Sequence, residues 1–228
     1  MFKPSRRHPS IGWNRRGPPQ RAPGEREAQA GIVRPLVALV VALLAALALS
    51  GGALASGGNY VFQGGTPYEQ LQVRSALDAS SFNWSIIPEP ITITIAPLGI
   101  SEAVPGQIWL DPSVLDSGEF SWGIVQHEYA HEVDFELLNA ATEAQLEIAL
   151  GGTAWCYADN PSLQHNQYGC ERFASTLAWA YWQNPDNCMQ PSMIAGESGG
   201  MQPGAFRALM TTILGSAATA GAPPRTSR

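Results

Sequence analysis

Lysine is all but missing from this chain. Lys3 is the only one in 228 residues, and from Ser56 onward five arginines stand against 17 acids, a net charge of −12 with histidine neutral. Phosphate binding needs clustered Lys and Arg, so nucleic acid is excluded as a partner of this part. Cysteine is nearly as scarce. Cys156, Cys170 and Cys188 form no C-x-x-C pair, which argues against zinc held by thiolates. Three cysteines allow one intramolecular bridge, and Cys156 to Cys170 is the expected one, stapling the loop that leads into a later helix. There is no internal repeat, and only one long apolar run.

That run is Leu36 to Leu49, 14 positions without a polar residue. It follows a Pro/Gly/Arg-rich arm holding eight of the 13 Lys and Arg within the first 35 residues. A positive segment before an apolar one is the layout of an export signal, and "ALA" at 53 to 55 suits a peptidase that wants small residues. Residues 36–55 are also about long enough to be a single membrane anchor. Both readings send the remainder out of the cytoplasm. The expected organisation is a basic disordered arm (1–35), a signal or anchor (36–55), an ordered domain (56–215) and a disordered tail (216–228). The expected location is extracytoplasmic, either secreted or anchored to the membrane through 36–55.

Within the ordered domain, "YEQLQVRSALDASSF" (68–82) has helical spacing, after a Gly-rich lead-in with little pattern. "ITITIAP" (91–97) alternates strictly and predicts a strand with one buried face, and "GQIWLDPS" (106–113) a second. No proline occurs from Ser113 to Leu150. Asp116 and Glu119 have capping-box spacing and predict a helix from there to about Leu138. Further helices are expected at 141–150, from Cys170 to Trp182 and at 203–214, with a loop over 151–169.

The first long helix carries "HEYAH". Residues four apart share a helix face, so His127 and His131 converge on one ion, while Glu128 points beside that axis, next to a metal-bound water rather than at the metal. Two histidines and a general-base glutamate are the parts of a hydrolytic zinc centre. The bland alternative is a helix with two satisfied histidines. Catalytic zinc takes three protein ligands, so one more is needed. The pattern HExxHxxGxxH fails, because Asp134 stands for its Gly and Leu137 for its last His. Glu171 in "CERFASTLA", 44 residues after His127, is the stronger candidate. Small residues at +3, +4 and +7 (Ala174, Ser175, Ala178) would let its helix approach the first. Asp134 and His165 remain as alternatives.

Helix, small sheet, HExxH helix and a later Glu-bearing helix together resemble the gluzincin zinc metallopeptidases, the thermolysin-like group, in their compact minigluzincin-like form. The resemblance spans about residues 66–183. It implies an α+β zincin-like fold, a small, mainly antiparallel sheet packed on the HExxH helix and a second ligand-bearing helix. It also implies one Zn2+ on His127, His131 and Glu171, with Glu128 as base and then acid in hydrolysing a polypeptide substrate. The strand at 107–110 would offer its edge to that substrate. Thermolysin-like enzymes commonly carry Asp four residues after the third ligand to orient a zinc histidine; Ser175 stands there, and Asp134 is the suggested replacement. Tyr157, Tyr168 and His165 are the loop residues available to an oxyanion. The competing class is a zinc-stabilised binding protein without turnover.

Overall fold

The structure, a computed structural model, describes residues 57–191 and 196–219. Four strands and six helices make up its regular part: β1 (Tyr60–Gly64), α1 (Pro67–Ala79), β2 (Ile91–Ile95), β3 (Glu102–Val104), β4 (Gln107–Leu110), α2 (Pro112–Leu115), α3 (Trp122–Leu137), α4 (Ala140–Leu150), α5 (Gly169–Tyr181) and α6 (Pro203–Leu214). The α+β class is as expected.

The sheet is not mainly antiparallel. Its order is β1-β2-β4-β3, with β1-β2 and β2-β4 parallel and only the β3-β4 hairpin antiparallel. Helix α1 carries the chain from β1 to its parallel neighbour, a crossover that no tight turn could make. In β2 the isoleucines at 91, 93 and 95 are buried and the threonines half-buried, because a strand presents alternate residues to the core. β1 escaped the sequence reading. It pairs on one side only, leaves Val61 exposed and rests only Tyr60 and Phe62 on the core.

Strand β4 lies between β2 and β3, so both of its edges are taken and 107–110 cannot pair with a substrate. Of the two outer strands, β1 and β3, it is β3 that packs on the HExxH helix, and it turns into β4 through Pro105 and Gly106, the latter at φ +76°.

Helix α3 begins at Trp122, not at Asp116. Asp116 ends α2, Gly118–Ser121 forms a 3-10 turn, and Ser121 is already helical and makes no side-chain cap. The turn runs directly into the helix and takes over the role of a cap. From Val125 to Asp134 every residue of α3 is buried, among α1, α5 and the hairpin. Polar groups there need partners. Gln126 donates to the Ala76 carbonyl at 2.7 Å. Glu132, 0% exposed, accepts from the backbone N–H groups of Gly106 (2.9 Å) and Gln107 (3.1 Å). One buried carboxylate thus fastens the β3–β4 hairpin to the HExxH helix.

The Cys156–Cys170 disulfide is present, with Cα atoms 5.5 Å apart, and Cys188 is free and buried. The bridge closes a short loop, and the chain-entropy account puts its stabilisation at about 3 kcal/mol. The start of the expected disordered tail is ordered. Residues 216–219 form a turn in which Ala218 is buried and its carbonyl accepts from Asn83 N–H at 3.1 Å.

The expected location needs correcting. Among the described residues no helix is long and apolar enough to cross a membrane. The longest, α3, has 16 residues and carries His, Glu and Asp, against the 20 or so apolar residues a span requires. No apolar anchor is shown, and the extracytoplasmic, secreted or membrane-anchored placement is not retained. The arm (1–35) and the segment 36–55 lie outside the described residues.

Glu132→Ala removes the carboxylate from two buried N–H groups, and unfolding free energy should fall by about 2 kcal/mol. Urea denaturation measures this, and an unchanged midpoint would mean the hairpin is held by packing alone.

Candidate metal centre

Helices α3 and α5 pack against each other through small residues. Ala130, Ala174 and Ala178 are fully buried, which brings their backbones close enough for short side chains to meet. Cys170, tied to Cys156, and Gly169 fix the start of α5, where Glu171 sits in the first turn. The Gly169 N–H donates to the Ala154 carbonyl and the Cys170 N–H to that of Trp155, both at 2.8 Å.

Three donors meet as a result. His127 Nε2 lies 3.1 Å from Glu171 Oε2, His131 Nε2 lies 3.4 Å from the same oxygen, and the two Nε2 atoms are 3.2 Å apart. Ligand atoms about 2.0–2.1 Å from one ion, at tetrahedral angles, are roughly 3.3–3.4 Å from each other. The triangle therefore has the dimensions of three tetrahedral corners, and all three residues are buried. Two imidazoles and a carboxylate suit zinc. Asp134 and His165 fall outside this group.

The far side of His127 is bonded as well. Its Nδ1 is 3.0 Å from Ser175 Oγ, which donates to Glu197 Oε2 at 2.8 Å. A metal on Nε2 needs the imidazole proton on Nδ1, and there the serine oxygen, with its own proton directed at Glu197, accepts it. Ser175 thus passes the support of the imidazole on to a carboxylate from elsewhere in the chain. Glu197, 2% exposed, comes from the turn Glu197–Gly200 and also binds His165 Nδ1 at 2.6 Å. Nothing in the sequence pointed to it: "GESGG" has no periodicity, and its partners lie 22 and 32 residues away. Asp134 makes no hydrogen bond to His127 or His131, and its Oδ1 has no partner.

The site opens into a cleft of about 510 Å³ lined on one side by Ile100 to Ala103, the approach to the β3 edge, and on the other by Tyr157 and His165. Glu128 shares this cleft and is 7% exposed. His165 Nε2 lies 3.1 Å from Glu171 Oε2, and its side chain is 55% exposed. Tyr168 is fully buried, and its hydroxyl donates to the Asn160 carbonyl at 2.8 Å. It is a packing residue.

Burial pushes the Glu128 carboxyl up, against the pull of His127 and His131. At Glu171 burial acts the same way, but hydrogen bonds from His127 and His131 override it and hold the carboxylate well below its usual range. Burial would depress His131, yet Glu171 raises it. His165 is raised by its hydrogen bond to Glu197. Asp134 is pushed up to about 7 by burial, partly opposed by His131.

Comparison with known proteins found no match among family models, curated proteins or solved structures. The functional reading therefore rests on the site's own geometry.

Two predictions follow from that geometry. Ser175→Ala and Glu197→Gln leave the three donors in place but remove the relay behind His127 Nδ1, so metal affinity should fall about 10- to 100-fold in a chelator competition. Unchanged affinity would show that the relay does not orient the ligand. For Asp134 the ionised form is the one the fold penalises, so stability is full while the group is protonated and declines as pH rises from about 4 to about 7. In chelator-treated protein Asp134→Asn should therefore gain on the order of 1 to 3 kcal/mol above pH 7 and little below pH 4, as read from melting curves.

Proposed function

We propose that this protein is a zinc-dependent metallopeptidase that hydrolyses peptide bonds, with His127, His131 and Glu171 as zinc ligands and Glu128 as the base. The observation that carries the reading is the donor triangle at tetrahedral spacing, facing a cleft that also holds a buried, unligated glutamate. When bound, zinc supplies Lewis acidity, acidifying water and polarising a peptide carbonyl. Glu128 takes a proton from the attacking water as the new C–O bond forms. It then passes the proton to the amine nitrogen as the C–N bond breaks.

Burial suits Glu128 to both halves of this cycle, because a carboxyl raised from its ordinary value releases and accepts a proton nearer neutrality. His165 and Tyr157 are the donors in the cleft for charge developing on the carbonyl oxygen. His165 is the better placed, since Glu197 fixes its orientation through Nδ1. The free edge of β3 offers backbone N–H and C=O groups to an extended chain, which makes a polypeptide rather than a compact small molecule the fitting substrate.

Elemental analysis and a cleavage assay on an unstructured polypeptide test the reading together. One zinc per chain is expected, much weakened in Glu171→Ala, with kcat reduced at least about 100-fold in Glu128→Gln. Zinc without any cleavage would favour a zinc-stabilised binding protein. Protein purified without zinc that cannot be loaded would remove the proposal.

A further inference from the structure

Beside the cleft lies a second recess of about 270 Å³, lined by Pro105, Asp134, Phe135, Glu143, Trp155 and Cys156. Phe135 and Cys156 also line the main cleft, so the two spaces adjoin. Pro105 directly follows β3. A chain lying on the β3 edge therefore passes the mouth of this recess and can lower a side chain into it.

The chemistry of the lining selects that side chain. Asp134 is 4% exposed, and its Oδ1 has no hydrogen-bond partner. Glu143 adds a second acid close enough to raise it further. Neither carboxylate has a cationic partner: the ion pairs among the described residues join histidines to Glu171 and Glu197. The three described arginines are engaged elsewhere, Arg74 with Gln70, Arg172 with the Leu150 and Asn166 carbonyls and Arg207 with that of Ala180. A buried carboxylate without a partner is costly, and an incoming cation offsets that cost. Hard divalent ions want six or more oxygens, whereas two walls here are aromatic. Aromatic faces suit the methylene stem and charged head of a long basic side chain.

We infer that this recess is a specificity subsite that takes a lysine or arginine side chain of the substrate, with Asp134 as its charged floor and Glu143 beside it. The inference rests on the peptidase reading. A peptide substrate with a basic residue at one fixed register from the cut bond is the preferred one.

The test uses the full chain loaded with zinc. An unstructured polypeptide is digested, the cut sites are mapped by mass spectrometry, and two peptides are made that differ only in lysine or norleucine at the register found. Cuts should cluster at a constant distance from Lys and Arg. The kcat/KM ratio of lysine to norleucine peptide should be at least tenfold in the wild type, near one in Asp134→Asn and intermediate in Glu143→Gln. Melting curves establish that both variants are folded. Equal rates for the two peptides in the wild type, or a preference that survives in Asp134→Asn, would overturn the subsite while leaving proteolysis intact. Absence of any cleavage would instead overturn the peptidase reading, and calorimetry with the same two peptides then decides the recess alone. Tighter binding of the lysine peptide, lost in Asp134→Asn, upholds it; equal affinities sink it.

Discussion

Helix α3 takes three carboxyl groups and two imidazoles out of water: His127, Glu128, His131, Glu132 and Asp134 are each 7% exposed or less. Desolvation on that scale is tolerated only where compensating partners stand ready, and much of the surrounding structure consists of those partners. The hairpin turn gives Glu132 two N–H groups, α5 brings Glu171 to the two histidines, and Ser175 with Glu197 closes the far side of His127. Asp134 keeps a buried oxygen unmatched, as does the amide of Gln126 on the same helix.

Glu197 has a double position in this arrangement. Its two oxygens serve different residues, Oε2 accepting from Ser175 behind a metal-facing imidazole and Oε1 binding His165 in the cleft. The orientation of a ligand and that of a cleft residue are thus tied through one rigid group. The disulfide works on the same loop from its other end. Cys156 adjoins Tyr157 and Cys170 adjoins Glu171, so both ends of the bridge lie next to cleft residues.

What the sequence revealed was local. Four-residue spacing placed His127 and His131 on one helix face, Ile/Thr alternation marked β2, and composition separated the 151–169 loop from its helices. Glu171 was also within reach, because small residues along one helix face signal close approach. The sheet's direction was not legible, since strand pairing depends on which elements become neighbours, and β1 and β3 are short, half-exposed edges without a periodic signature. Glu197 was hidden for a similar reason: its importance comes entirely from contacts distant in the chain. Glu132 carries no mark in the sequence, and only the hairpin packed over it shows that it is a tether.

An unpaired strand edge beside an open cleft is also an invitation to the wrong partner, including another copy of the same protein. β3 limits that risk by its size. It has three residues, an exposed glutamate at its first position, and a proline directly after its last. Two copies brought edge to edge would find no room to extend the ladder past Pro105, which has no N–H to give. The same brevity makes any pairing there short and readily reversed, a property that favours release of a visiting chain as much as its capture.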